Sequence, residues 1–331
     1  MGFVAQQPPW GNQSNRPAPP PGPGQPYFEY SSRSGKKKAL LIGINYFGTK
    51  AQLAGCINDV HNIQRFIQER YGYQPQDMVV LTDDSNDPKS LPTKANIEKA
   101  MGWLVDGAQK DDALFFHYSG HGTTAEDTNG DEADGTDEAS CPVDYEEAGL
   151  IVDDESDHEY LVRPLPAGCR LTAIFDSCHS GTVMDLPYVY STEGKIKEPN
   201  LLEGAQDDIM AAGLSAIRGD SGGFFKGMMN VAKGAFDVKK ADAKGRKNNT
   251  SPADVIQWAG CKDSQTSADT EEEGKATGAM SYAFIAALTK YPQQSYQQLL
   301  VSIREEMRGK YTQKPQLSAC HPIDTDLMFV A

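Results

Sequence analysis

No two cysteines in this sequence are spaced CxxC, and no apolar run approaches the roughly 18 residues that a membrane-spanning helix needs. The six cysteines, at positions 56, 141, 169, 178, 261 and 320, fall at irregular intervals, which argues against a zinc site and a disulfide framework. Reduced thiols in a cytosolic or nuclear compartment are expected. The N-terminus MGFVAQQPPWGN has neither the basic n-region nor the apolar h-region of a secretory leader, so a soluble, non-secreted protein is expected, with no membrane partner. Positive charge is also scarce: 31 Lys and Arg stand against 46 Asp and Glu, a formal net charge of −15. That balance disfavours nucleic acid as a partner and favours cationic ligands, such as basic peptides or metal ions.

Residues 1–35 are rich in Pro, Gly, Gln and Asn and carry no apolar period. Such a segment buries too little surface to offset its ordering entropy and reads as a disordered leader. Its Trp10, Tyr27, Phe28 and Tyr30 could support weak self-association, but a solvated tail is the plainer reading.

From Lys36 onward short apolar runs alternate with helical stretches. Ala39 to Ile44, Met78 to Leu81, Ala113 to Tyr118 and Leu171 to Phe175 read as buried strands. Between them, Ile57, Val60, Ile63, Phe66 and Ile67 mark an amphipathic helix from Cys56 to Glu69, and a second helix starts behind Thr93. This alternation predicts an α/β fold over 36–331, a mainly parallel central sheet flanked by helices on both faces. In such sheets ligands bind at the carboxyl ends of the strands. Two segments interrupt the pattern: an acidic loop at 126–155, and a Gly-, Lys- and Asn-rich stretch at 187–250 that reads as an insertion or processing linker. Beyond them, Asp254 to Ala259 reads as a strand, Met280 to Thr289 and Tyr296 to Arg308 as helices, and Leu327 to Val330 as a terminal strand.

The third strand ends in SGHG and the fourth in DSCHSG, so adjacent parallel strands would present His121 and Cys178 at one sheet edge. A cysteine nucleophile must be a thiolate, and a free thiol with a pKa near ~8.5 is mostly protonated at neutral pH, so a neighbouring imidazole is the usual activator. A lone Cys at a strand end is ordinarily a small buried hydrophobe. Both residues at equivalent strand ends, each flanked by Ser and Gly, point instead to nucleophile and general base. His179 is the rival base, but a residue adjacent in an extended segment points away from its neighbour. Gly120 and Gly122 allow a tight turn around His121, and the amides of Gly122 and Cys178 could form an oxyanion hole.

The motifs HYSGHG and DSCHSG, with KALLIGINY and GCINDV upstream and PVDY, IVDDE and QKPQLS downstream, resemble those of the metacaspases. Their order and the short Pro- and Gln-rich leader resemble the fungal type I members, and the resemblance covers residues 36–331. It implies a caspase-like fold and a thiol protease that cleaves protein or peptide substrates after Arg or Lys rather than Asp. It also implies calcium activation, self-processing from a zymogen, a monomer, and a role in stress response, cell death or protein quality control. The caspase signature QACxG is absent, in keeping with the changed specificity.

The family's pocket for the basic side chain falls on Asp176 with Asp59, Cys56 and Ser119. A buried carboxylate at a strand end is costly unless paired, and a substrate guanidinium supplies a bidentate partner. For Asp59 the ordinary reading is a first-turn helix carboxylate favoured by the dipole. In the acidic loop, Asp127, Asn129 and Asp131 superficially resemble the start of an EF-hand, but Glu132 stands where the turn glycine belongs. Most carboxylates of that loop read as solvated surface. The family's Ca2+ site falls instead on Asp137, Asp153, Asp154 and Asp185, hard oxygen ligands from separate loops. A reading from a different class is a non-proteolytic adaptor in protein quality control, which a Cys178→Ala protein retaining all cellular activity would favour.

The 187–250 segment holds eight lysines, among them Lys226 and Lys233, which lie where relatives of the family are processed. It begins nine residues after Cys178, close enough to be presented to that thiol at high effective concentration. Adding calcium to the purified chain should yield two fragments, one ending in a basic residue of this segment, while Cys178→Ala stays intact. Mass spectrometry of the fragments decides, and a wild type that stays whole while cutting Arg peptides would remove processing from the mechanism.

Overall fold

The computed structural model describes residues 27–126, 136–177, 183–196, 249–260, 269–272, 275–311 and 313–331. Seven strands make one sheet in the order β2-β1-β3-β7-β9-β12-β8. They are β1 (Lys37–Gly43), β2 (Met78–Thr82), β3 (Ala113–Ser119), β7 (Arg170–Asp176), β8 (Tyr188–Tyr190), β9 (Asp254–Ala259) and β12 (Gln316–Ala319). The five from β2 to β9 run parallel, whereas β12 and β8 join antiparallel. A second, antiparallel sheet is built from β4 (Gly122–Glu126), β5 (Thr136–Ser140) and β6 (Ile151–Val152), and β10 (Asp269–Glu272) pairs with β11 (Lys275–Gly278).

The core strands are predominantly apolar because both faces are covered, with His117, Thr172 and Gln257 as buried polar exceptions. Ala39, Leu41, Phe115, Ile174, Ile256 and Trp258 face one layer, formed by α1 (Cys56–Tyr71), α4 (Ala279–Lys290) and α5 (Tyr296–Met307). Leu40, Ile42, Phe116, Tyr118, Leu171 and Phe175 face the other, where α2 (Lys94–Val105) contributes Ile97, Met101 and Leu104. Thr93 caps α2 by accepting from the Asn96 amide, as its position before the helix suggests. Gly72 ends α1 at φ 74°, a left-handed cap that a side chain would strain. A short helix, α3 (Tyr145–Ala148), follows β5. Among the described residues no helix is long and apolar enough to cross a membrane.

Four expectations are corrected. The leader expected to reach residue 35 is ordered from residue 27 on: Phe28 is buried and stacks on His321 at 3.9 Å between ring centroids, and the Ser31 amide donates to Asp254. The acidic loop is not loop throughout, since β4 and β5 form a ladder from Gly122–Ser140 to Glu126–Thr136 and Asp137 and Glu138 are buried. The linker likewise starts as sheet, with β8 pairing along β12; residues 197–248 lie outside the described residues, Lys226 and Lys233 among them. Leu327–Val330 forms no strand. The sheet's last strand is Gln316–Ala319, and the terminal apolar run instead delivers Phe329 into a cage of Trp258, Phe284 and Tyr296, with centroids 5.6 to 5.7 Å away. Phe329→Ala should therefore cost about 3–5 kcal/mol of stability, read as a lowered denaturant midpoint, while activity at low temperature is kept.

Candidate active site

Parallel pairing of β3 with β7 sets Ser119 opposite Asp176. His121 follows Ser119 by two residues and Cys178 follows Asp176 by two, so in the sequence both candidates stand equally far beyond one paired step. Cys178 lies outside the described residues, as does His179; Ser177 before it is fully buried. The Gly120 amide donates to the Asp176 carbonyl at 3.4 Å, tying the turn after β3 to the end of β7. A Cβ on Gly120 would stand 2.8 Å from the Tyr118 Oη and 3.0 Å from the Tyr46 Oη, which is why this turn needs glycine.

Those two hydroxyls hold His121. Its amide donates to Tyr46 Oη at 3.0 Å, and its carbonyl accepts from Tyr118 Oη at 2.8 Å and from the Cys141 amide at 3.1 Å. Tyr46 also donates to the Cys141 carbonyl at 2.6 Å and lays its ring 4.7 Å from the imidazole. It does so from a left-handed backbone, φ 52°, a strained conformation for a bulky residue. Burial pushes the Tyr46 phenol well up, so it stays protonated and able to donate. The imidazole Nε2 is 2.7 Å from the Ala51 carbonyl oxygen. A carbonyl only accepts, so Nε2 carries the hydrogen and Nδ1 of the neutral ring keeps its lone pair, as a general base requires.

Gly122 begins β4. Because the Cys141 amide donates to the His121 carbonyl, 121 and 141 form the hydrogen-bonded type of antiparallel pair and Gly122–Ser140 the non-bonded type. The Gly122 N–H thus turns away from β5 to the open edge of that sheet.

On the strands, side chains alternate, so Ser119 and Asp176 fall on the face covered by α1 and α4. There Asp59, in the first turn of α1, is fully buried. Its Oδ2 accepts from Ser119 Oγ at 2.8 Å and the Gly278 amide at 2.9 Å, and its Oδ1 from that amide at 3.0 Å and from Thr277 Oγ1. Asp176 accepts from the Ser281 amide at 2.7 Å. A Cβ on Gly278 would sit 2.3 Å from Asp176 Oδ2 and 2.8 Å from Asp59 Oδ2, which places the two carboxylate oxygens within about 5 Å of each other. Burial first, and then the Asp176 charge, push the Asp59 carboxyl well above its usual range despite its three donors. Cys56, one helical turn before Asp59, is buried and donates its amide to Asn45 Oδ1 at 3.1 Å.

Of the four calcium candidates, Asp137 on β5 and Asp185 are described and buried, Asp185 in a left-handed conformation at φ 47°. The side chains of Asp153 and Asp154 lie outside the described residues. Two buried carboxylates fit a hard cation by donor chemistry, although among the described residues no three metal-binding side chains converge.

Several parts of the site escape sequence reasoning. Ala51, Gly278 and Ser281 act through main-chain groups, which leave no residue-type signal, and Thr277 sits in an unremarkable KATG strand. Tyr46 lies within the quoted KALLIGINY segment, but nothing in its residue type announces the bond to His121.

The profile described as "Metacaspase, peptidase C14 domain" matches residues 37–187. Metacaspase-1 of Cryptococcus neoformans var. neoformans serotype D is 64% identical over 307 residues, covering 92% of this chain and 67% of that protein. Metacaspase-1 of Mycosarcoma maydis is 56% identical, covering 93% and 76%. Metacaspase-1A of Aspergillus terreus is 55% identical, covering 95% and 80%. Among solved structures, protein GSU0716 from Geobacter sulfurreducens matches with a TM-score of 0.53 at 22% identity, covering 88% of this chain and 95% of that one, a likeness of fold.

Tyr46→Phe removes the hydroxyl shared by the His121 amide and the Cys141 carbonyl. It should lower kcat about tenfold with little change in KM, as expected for a lost buried hydrogen bond of ~1–2 kcal/mol that positions the base. Steady-state kinetics on a basic peptide provide the check.

Proposed function

Since this chain belongs to the metacaspase family, and is thus a cysteine-type endopeptidase of caspase-like fold, we propose that it cleaves after Arg or Lys through a Cys178–His121 dyad under control of Ca2+. The observation that supports this reading is the β3–β7 register, which sets Ser119 opposite Asp176, each two residues before a candidate in the sequence, with Asp59 of α1 bonded to Ser119 beside them.

In the proposed reaction His121 Nδ1 takes the Cys178 thiol proton, and the thiolate attacks the scissile carbonyl carbon. The Ala51 carbonyl stabilises the imidazolium through Nε2–H. The oxyanion is received by the amides of Gly122 and Cys178. The imidazolium then protonates the departing amine, and water, deprotonated by the same nitrogen, hydrolyses the thioester and restores the thiol. Asp59 and Asp176 receive the guanidinium or ammonium of the substrate, with Ser119 and Cys56 forming the wall beside them. The ordinary cost of bringing two carboxylates within about 5 Å favours a cation between them.

Asp137 and Asp185, with Asp153 and Asp154, would hold the Ca2+. Bound there, the ion supplies the positive charge that lets four carboxylates close together. Asp137 lies on the strand that pairs with Gly122, and Asp185 follows the nucleophile by seven residues, so closure would tie the oxyanion side of the site to the Cys178 segment. Self-processing at Lys226 or Lys233, a monomeric state and a cytosolic or nuclear location complete the proposal.

Asp176→Asn should cut kcat/KM on Arg peptides by a factor matching about 3–5 kcal/mol, and equal hydrolysis of Arg and Asp peptides by the parent would refute the specificity. The raised Asp59 carboxyl gives a pH signature. The folded protein holds this proton to higher pH than the unfolded chain, so Asp59 costs stability as pH climbs from the ordinary carboxylate value through its folded one. A cationic substrate favours the ionised pair, hence KM for Arg peptides should fall as pH rises through that window, and Asp59→Asn should flatten the profile. For the metal, Asp137→Asn should raise the calcium needed for half-activation at least tenfold; an unchanged calcium titration would contradict the assignment.

A further inference from the structure

At the opposite end of the sheet, the chain before β1 crosses the amino ends of β3, β7 and β9. Ser31 donates its amide to Asp254 at 3.0 Å and its hydroxyl to the Asp112 carbonyl at 3.3 Å. Beneath this strap lies Arg170, the first residue of β7, which is 1% exposed. Its Nη2 reaches Asp254 at 3.2 Å and donates to the Tyr296 hydroxyl, while its Nε and Nη1 are buried with no hydrogen-bond partner. Arg33, on the strap, is half-buried in a left-handed conformation at φ 58°, and its guanidinium pairs with no carboxylate among the described residues.

Tyr30, Arg33, Arg170 and Tyr296 line a cavity between the strap and the start of α5, closed on one side by Leu327 and Met328. The Tyr30 hydroxyl accepts from the Asp324 amide at 3.0 Å, and the Tyr296 hydroxyl accepts from Arg170, so each keeps its own proton to donate. Burial pushes the Tyr30 phenol up to about 12, which keeps that proton in place. Asp254 is the carboxylate paired with Arg170, and it also accepts the Ser31 amide and faces His321, while Asp324, which meets Tyr30 through its amide, does not line the cavity. Asp111 and Asp112 accept from the amides of Ser32, Lys36 and Gln109 and do not line the cavity. Two guanidiniums therefore face one carboxylate, and Tyr30 and Tyr296 each have a hydroxyl hydrogen to offer, while the Ser31 hydroxyl is spent on the Asp112 carbonyl.

We propose that this cavity binds one small inorganic anion, of the size of chloride or bromide, between Arg33 and Arg170 with the Tyr30 and Tyr296 hydroxyls as donors. A buried positive excess is costly without a counter-charge. Size sets the class: the cavity is about 20 Å³, where a water-sized particle needs roughly 10–15 Å³, so one halide fits and a phosphate does not. A water molecule alone would fill the space but leave the charge uncompensated. The bound ion would fasten the strap to β7 and α5, far from His121.

The test is a bromide titration of the full chain at constant ionic strength, with gluconate replacing the halide. The thermal midpoint should rise by about 2 °C for each tenfold increase above the dissociation constant. Arg33→Gln should abolish the rise while retaining wild-type kcat/KM on an Arg peptide, and Tyr30→Phe, which keeps the charge, should weaken it. Crystals grown in bromide should show an anomalous peak between Arg33 and Arg170. A wild type indifferent to bromide overturns the proposal. So does an equal rise in Arg33→Gln, which would mean an adventitious ion only. Failure of peptide cleavage with the bromide response intact would count against the dyad and not against this site.

Discussion

Hydrogen bonding between β3 and β7 is the interaction on which the rest of the site depends. A parallel ladder admits no partial slip: a shift of one residue would move Ser119 off Asp176 and reverse the face each side chain takes. Held in this register, one strand delivers Ser119 and then His121, while the next delivers Asp176, which precedes Cys178 by two residues in the sequence. Gly120 locks the exit by donating to the Asp176 carbonyl, and its missing side chain leaves room for the two phenols that grip His121.

The same geometry imposes an electrostatic constraint. Two buried carboxylates, Asp176 at the end of β7 and Asp59 in the first turn of α1, repel each other, and the fold offsets this with donors taken from three other places: Ser119 on β3, Thr277 and Gly278 on β11, and Ser281 in α4. His117, directly below Ser119 on β3, contacts Ser281 Oγ at 2.9 Å and is held neutral, its pKa lowered by burial to about 3. It adds no charge to the pair. In the proposed pocket a positive side chain entering from solvent would supply the counter-charge, so the proposed preference for Arg or Lys would rest on desolvation and not on shape alone.

Strands buried on both faces are easily read, because they are predominantly apolar; Asp254 to Ala259 coincides with β9 despite Gln257 in its middle, and α1 shows its period in Ile57, Val60, Ile63 and Ile67. Legibility fails where tertiary context decides. Gln316–Ala319 has no apolar run yet pairs on both sides, while Leu327–Val330 is apolar and makes no strand because Phe329 fills a ring cage. The GTTAE and TDEAS ladder is hidden by its charge and threonine content, and the ordering of Phe28 comes from a stacking partner nearly three hundred residues away. In the site, the side chains expected from motifs were nameable, whereas the main-chain partners at Ala51, Gly278 and Ser281 were not, since any residue type can supply them.

The pairing of Cys178 with His121 is tested most directly by the pH dependence of Cys178 alkylation by iodoacetamide, followed by mass spectrometry in the wild type and in His121→Ala. An imidazole within reach should keep the thiolate populated, so the wild-type rate should have its midpoint well below the ~8.5 of an ordinary thiol, and His121→Ala should return it there. Coincident profiles with midpoints near ~8.5 in both proteins would contradict the account.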